Sequence, residues 1–338
     1  MGANKVKKHY LLIICLSLGV TGCFEKQKTL SDDAIYQTYG VHNSPDTSPC
    51  TNKNCVYQRK PGEPVDPIYP KYWVSDWNMY VVSKRYAEFP PPYDGKPPAE
   101  LKNGIDYKTS HGTTYYDSTW TDPNSGKQEG AMMEHYVDQC LPIFPIENNY
   151  TCSFISLGDT AFFIAGKGRP NWMPKICLFS KFNHPPRRDF IKHLPYSHED
   201  STRIGDGGQG YSFWVDAESG KPIQVGVSPD KTEDGAIMFG YGFQKHDNKM
   251  RPQSFYFSGY PLSPANAPIV SQNYTDFQET KPNPIHTWDL VSDLDINKLD
   301  KCQLFDPPQV RNATLSTTQK APTWADIGRN KHSDKKGK

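Results

Sequence analysis

Across residues 69–308, aromatic and β-branched side chains recur in short runs, each cut off by Gly, Pro, Asn or Asp. Runs of that kind suit a pleated surface and predict strands at 79–82, 113–120, 161–165, 176–182, 211–215, 223–227, 236–243 and 254–260. The clearest hairpin joins 212–215 to 223–227 across 216–222, where Gly220 supplies the positive φ of a tight connection. Alternation in its second arm sets Ile223, Val225 and Val227 on one face. Helical signal is thinner: one candidate spans 131–137, and Trp288, Val291, Leu294 and Leu299 make a stripe within 287–300. The expected fold is mainly β, an antiparallel sheet or sandwich with a few short helices, in one domain over 69–308. At about 240 residues it stands near the upper limit for a single core.

The start of the chain has a different logic. Lys5, Lys7 and Lys8 precede an apolar run from Tyr10 to Val20, and small residues lead to Cys23. This is the layout of a secretory signal over 1–22. A run of about a dozen apolar residues is too short to span a bilayer, which takes about 20. Val20-Thr21-Gly22-Cys23 resembles a bacterial lipobox, with Val20 where Leu is usual. The resemblance implies that Cys23 is acylated and becomes the mature amino terminus. It also implies outer-membrane delivery in a cell with two membranes, since Phe24 stands where an Asp signals inner-membrane retention. Two or three acyl chains anchor stably, each buried methylene contributing about 0.8 kcal/mol.

Residues 23–68 are polar and proline-containing with hardly an apolar cluster, and read as the lipidated cysteine followed by a flexible tether. Residues 309–338 lose their apolar content and close with Lys331, Lys335, Lys336 and Lys338, a disordered basic tail. Without the signal lysines, 35 basic side chains face 37 acidic ones. Such a balance produces no global field for nucleic acid or anionic lipid. The membrane is expected to be met through the acyl anchor, and nucleic acid is not an expected partner.

Six cysteines remain beyond Cys15 and Cys23: Cys50, Cys55, Cys140, Cys152, Cys177 and Cys302. An even number in an exported chain reads as disulfides. Proximity favours Cys50 with Cys55 and Cys140 with Cys152, which leaves Cys177 for Cys302. The last loop, over 100 residues, would stabilise most, by about 4.7 kcal/mol in the chain-entropy model. The rival reading of Cys50-x4-Cys55 as half of a zinc site lacks a matching second pair.

No catalytic or ligand motif stands out. His184, Arg187, Arg188 and His193 fall in the densest polar stretch, 181–193, followed by His198, Glu199 and Asp200. The histidines with an acid have metal-ligating chemistry but no zinc spacing, so no metal is expected. Arg187 and Arg188 suit an anion clamp, and a proline-stiffened, solvated loop is the plainer reading. Residues 205–210 are glycine-rich but lead into a strand and not a helix, which removes the phosphate-loop logic. Residues 230–235 and 293–297 are acidic yet incomplete as calcium loops. Ser212 lacks the closing glycine of a nucleophile elbow. His111 with Asp117 and His135 with Glu134 have acid-base partners nearby in the chain.

Trp73, Trp77, Tyr80, Tyr86, Phe89 and Tyr93 crowd the domain entrance, either as core or as a face that stacks on sugars or apolar chains. These features together lead to the expectation of a cell-envelope lipoprotein with a non-catalytic binding or assembly domain. It would take no cofactor and bind an envelope protein, glycan or lipid. The alternative is an anchored hydrolase acting on cell-wall, glycan or lipid substrates.

Overall fold

The computed structural model describes residues 59–83, 88–140, 149–180, 185–216, 236–259 and 269–302. The pairs with Cys50 and Cys55, the arm 223–227 and the acidic stretch 230–235 lie outside them. Among the described residues no helix is long and apolar enough to cross a membrane.

The chain forms one 11-stranded antiparallel sheet, so the mainly β expectation holds. Its first six strands are β1 (Tyr72–Val82), β2 (Tyr107–Asp117), β3 (Ala131–Tyr136), β4 (Cys152–Leu157), β5 (Thr160–Ala165) and β6 (Ile176–Ser180). The next five are β7 (Tyr196–Ser197), β8 (Gln209–Asp216), β9 (Ala236–His246), β10 (Lys249–Gly259) and β11 (Ile269–Gln278). In space they run β6-β5-β4-β3-β2-β1-β11-β10-β9-β8-β7. This order is two consecutive meanders, β1 to β6 and β7 to β11, joined along the seam between β1 and β11. Asp247 and Asn248 connect β9 to β10 with φ of 47° and 62°, the left-handed pair that a two-residue hairpin uses.

The sheet curls. Tyr69, just ahead of β1, packs its ring 5.5 Å from Tyr116 on β2 and 5.6 Å from Phe243 on β9. Those strands are four positions apart in the sheet, about 19 Å along a flat one at 4.8 Å per strand. Tyr69 also meets Phe190 at 5.0 Å, and Phe190 meets Tyr241 at 4.8 Å, so these rings plug one end of the concave face. The inner face carries the main core, including Trp73, Trp77, Tyr116, Tyr136, Phe163, Phe239 and Phe257.

The outer face is covered in patches. Over β3 to β6, residues 284–302 lay down Trp288 and Val291 against Ala131, Met133, Ile155 and Phe162. That segment ends beside β6, where Leu178 and Lys301 form a parallel bridge and Cys302 is bonded to Cys177. Cys140 is bonded to Cys152, so both pairings expected within the described residues are present. Over β8 to β10 sits the only α-helix among the described residues, α1 (His198–Ile204). Gly210, Gly240 and Gly242 allow the close approach. A Cβ on Gly240 would meet the Tyr256 ring at 2.1 Å, and one on Gly210 would meet Asp200 at 2.4 Å.

Two helix expectations are corrected. Residues 131–136 are a strand, because Ala131, Met133 and His135 face one side while Met132, Glu134 and Tyr136 face the other. The helix-forming tendency of Ala, Met and Glu yields there to pairing on both edges. The stripe at 287–300 is realised as three-residue 3-10 turns, Trp288–Leu290 and Ile296–Lys298, laid on the sheet.

A candidate recess on the concave face

The inner face changes character around Glu134. In register across the sheet lie Ser75, Thr114, Glu134, Phe154, Phe163 and Cys177, flanked by the row Trp77, Gly112, Tyr136, Cys152 and Ala165. Gly112 is required because a Cβ there would meet the Trp77 ring at 2.2 Å and the His135 carbonyl at 2.1 Å. On the other side of β1, the pairing with β11 shifts between Ser75 and Trp77. This bulge turns both Tyr274 and Phe277 inward, although three positions separate them; they meet Trp73 at 5.3 and 5.4 Å.

Glu134 keeps some solvent-accessible surface, yet burial by the surrounding protein raises its pKa to about 7, with Gln272 and Tyr136 pulling it back down. A carboxyl that is walled in but still reached by water stands in a recess. Tyr136 donates to Glu134 Oε2 at 3.3 Å. Burial pushes the Tyr274 and Tyr69 hydroxyls far above their ordinary range, and the charge of Glu134 adds to it. Phe154, Phe179, Met132 and Tyr274 also retain partial exposure on this face. Phe154 and Phe179 meet edge to face at 4.9 Å.

Several polar atoms there are buried without completed hydrogen bonds: both amide atoms of Gln272, Thr114 Oγ1, and the indole nitrogens of Trp73 and Trp77. Gln272 is 1% exposed, and Thr114 and Trp73 are fully buried. Gln272 and Thr114 stand near enough to influence Glu134 and Tyr274 without reaching hydrogen-bond geometry. Orphaned polar atoms of this kind each cost about 1–3 kcal/mol, and those of Gln272 and Thr114 stand beside the Glu134 carboxyl, where they call for a partner.

The residues singled out in the sequence go to other tasks. His184 lies outside the described residues, and His193 ends the 3-10 turn Phe190–His193. Arg187 Nε is 3.4 Å from Asp189, whereas Arg188 Nε donates to the Tyr69 carbonyl at 2.7 Å. The two arginines therefore work apart. Arg188 also lines an open groove of about 580 Å³ with Val65, Ile68, Lys245, Lys249 and Glu279. Arg59, within the stretch of tether-like composition, donates to the carbonyls of Leu194 and Ile191 and lies over the Tyr211 ring.

His111 pairs with Asp138 at 2.7 Å and not with Asp117, which accepts from Thr119. His135 contacts Ser153 on the face opposite Glu134. Ser212 approaches the buried Asp200, whose carboxyl is raised by burial and offset by Ser212, Arg203 and Tyr256. In the stretch 293–297, Asp295 caps the 3-10 turn Ile296–Lys298 by accepting from the Asn297 amide. Among the described residues no three His, Cys, Asp or Glu side chains gather as a metal site.

Sequence reasoning reached Glu134 only as a neighbour of His135. Its alternating partners Met132 and Tyr136, with Met133 and Ala131 out of phase, were the signal for a two-faced strand. The sequence matches no protein-family model and no curated protein.

Proposed function

We propose that the chain is a cell-envelope lipoprotein, held by acyl chains on Cys23, whose curled β domain binds a ligand without transforming it. The lipobox-like Val20-Thr21-Gly22-Cys23 supports the anchor, and Phe24 supports delivery to the outer membrane of a two-membrane cell. The observation that carries the binding reading is the Glu134 recess, in which the buried Gln272 side chain stands close to the carboxyl but completes a hydrogen bond through neither its donor nor its acceptor. Small-ligand sites are concave, mostly apolar and furnished with a few convergent polar groups, and the recess has that composition.

The hydrolase alternative draws on one observation, the carboxyl of Glu134 near pKa 7, which suits a general acid. Against it, the adjacent His135 faces away. The anchor is tested by the mass of the membrane-fraction protein and by Cys23→Ser, expected to lose the acyl adduct and shift the protein to the soluble fraction. An unmodified Cys23 would refute the anchor. Generic ester, peptide and glycan substrates separate the two classes: turnover lost in Glu134→Gln would transfer the assignment to the hydrolase.

A further inference from the structure

Building on the binding reading, we infer that the recess takes a small organic cation, an ammonium group carried on an apolar body, with Glu134 as its counter-ion. Charge comes first. The inner positions of β1 to β5 are Trp, Ser, Trp, Met and Val; Lys, Ser, Gly, Thr and Tyr; Met, Glu and Tyr; Cys, Phe and Ser; Ala, Phe and Ala. Those of β11 are Val270, Gln272, Tyr274 and Phe277. The one base among them, Lys108, is exposed at the end of β2, six residues along the strand from Thr114, the register partner of Glu134. Glu134 thus lies in protein without a cationic partner, a costly arrangement that an incoming cation relieves.

The walls have the matching chemistry. Phe154, Phe179 and Tyr274 are half-buried residues on this face, and aromatic faces attract ammonium groups, more strongly where water is excluded. Gln272 and Thr114 add a free acceptor each to receive ammonium N–H donors. An anion would face Glu134 with no compensating base. Tyr69 and Phe190 plug one end of the concave face.

The test uses three probes of one chain length, octylammonium, octanol and octanoate, titrated into the full-length protein by calorimetry. At pH 8 octylammonium should bind at least tenfold more tightly than octanol, and octanoate more weakly than either. Glu134→Gln should erase that tenfold preference of octylammonium over octanol. The groups facing Glu134 are Tyr136 on its own strand, Tyr274 on β11, and Tyr69 ahead of β1. Tyr69 and Tyr274 stay neutral at these pH values, so lowering the pH from 8 to 6 should weaken octylammonium roughly tenfold as Glu134 takes up its proton.

The head-group comparison is made on the unmutated protein and stands even if the variant misfolds. Equal binding of octanoate, or a preference surviving Glu134→Gln, overturns the cation assignment while leaving a binding domain. Binding of none of the three overturns both readings.

Discussion

At pH 8 the Glu134 carboxyl is charged inside the folded protein, and the fold bears that cost. Its pKa is raised from 4.5 to about 7. The folded state therefore holds the proton more tightly than the unfolded chain between those values, and stability is lost as pH rises through the window. With a discount for partial exposure, the loss is on the order of 2 kcal/mol. Thermal unfolding of wild type and Glu134→Gln should coincide near pH 4 and diverge by pH 8, the variant being more stable. Parallel curves would sink this account. Gly112→Ala should cost about 1–3 kcal/mol by overpacking against Trp77 and the His135 carbonyl, seen as a lower urea midpoint at unchanged slope. At this scale the sequence was partly legible: Glu134 stood out as an acid beside a histidine. Adjacent positions on a strand face opposite ways, so neighbours in the chain are divided by the sheet.

The elements read from the sequence were those rich in aromatic and β-branched residues: β2, β5, β6, β8, β9, β10 and the end of β1. β4 and β11 escaped notice because Ser153, Ser156, Ser271, Gln272 and Asn273 interrupt their apolar character; all five are buried in the sheet. Apolar spacing at 288, 291, 294 and 299 was read as one helix and is a covering strap. Trp288 in that strap is 1% exposed. Trp288→Ala should cost about 3–5 kcal/mol and expose the outer face of β3 to β5 to faster hydrogen exchange. Replacing Cys177 and Cys302 with serine should cost about 2–5 kcal/mol, since the bridge closes a loop with a sequence separation of 125. Removing the bridge between Cys140 and Cys152, separated by 12, should cost less. Denaturant melts of the two double variants decide the order.

For the whole molecule, class and the two cysteine pairings within the described residues were legible, while the joining of the meanders was not. Pairing of β1 with β11 unites residues nearly two hundred positions apart, and no local pattern encodes such a partner. The curl is equally non-local, because it depends on Tyr69 reaching both halves. The two meanders are linked in the chain by the stretch from β6 to β7, and in space by the seam, the Tyr69 ring, the strap over β3 to β6 and the Cys177–Cys302 bond. A protease that cuts once between residues 180 and 190, ahead of the buried Phe190 and Ile191, would therefore leave a nicked but intact protein. It should migrate as one band on a denaturing gel until a reductant is added, and then as two fragments. Mixed afresh, the halves have the complementary strand edges needed to reassemble, so this fold is a candidate for splitting into two separately made pieces.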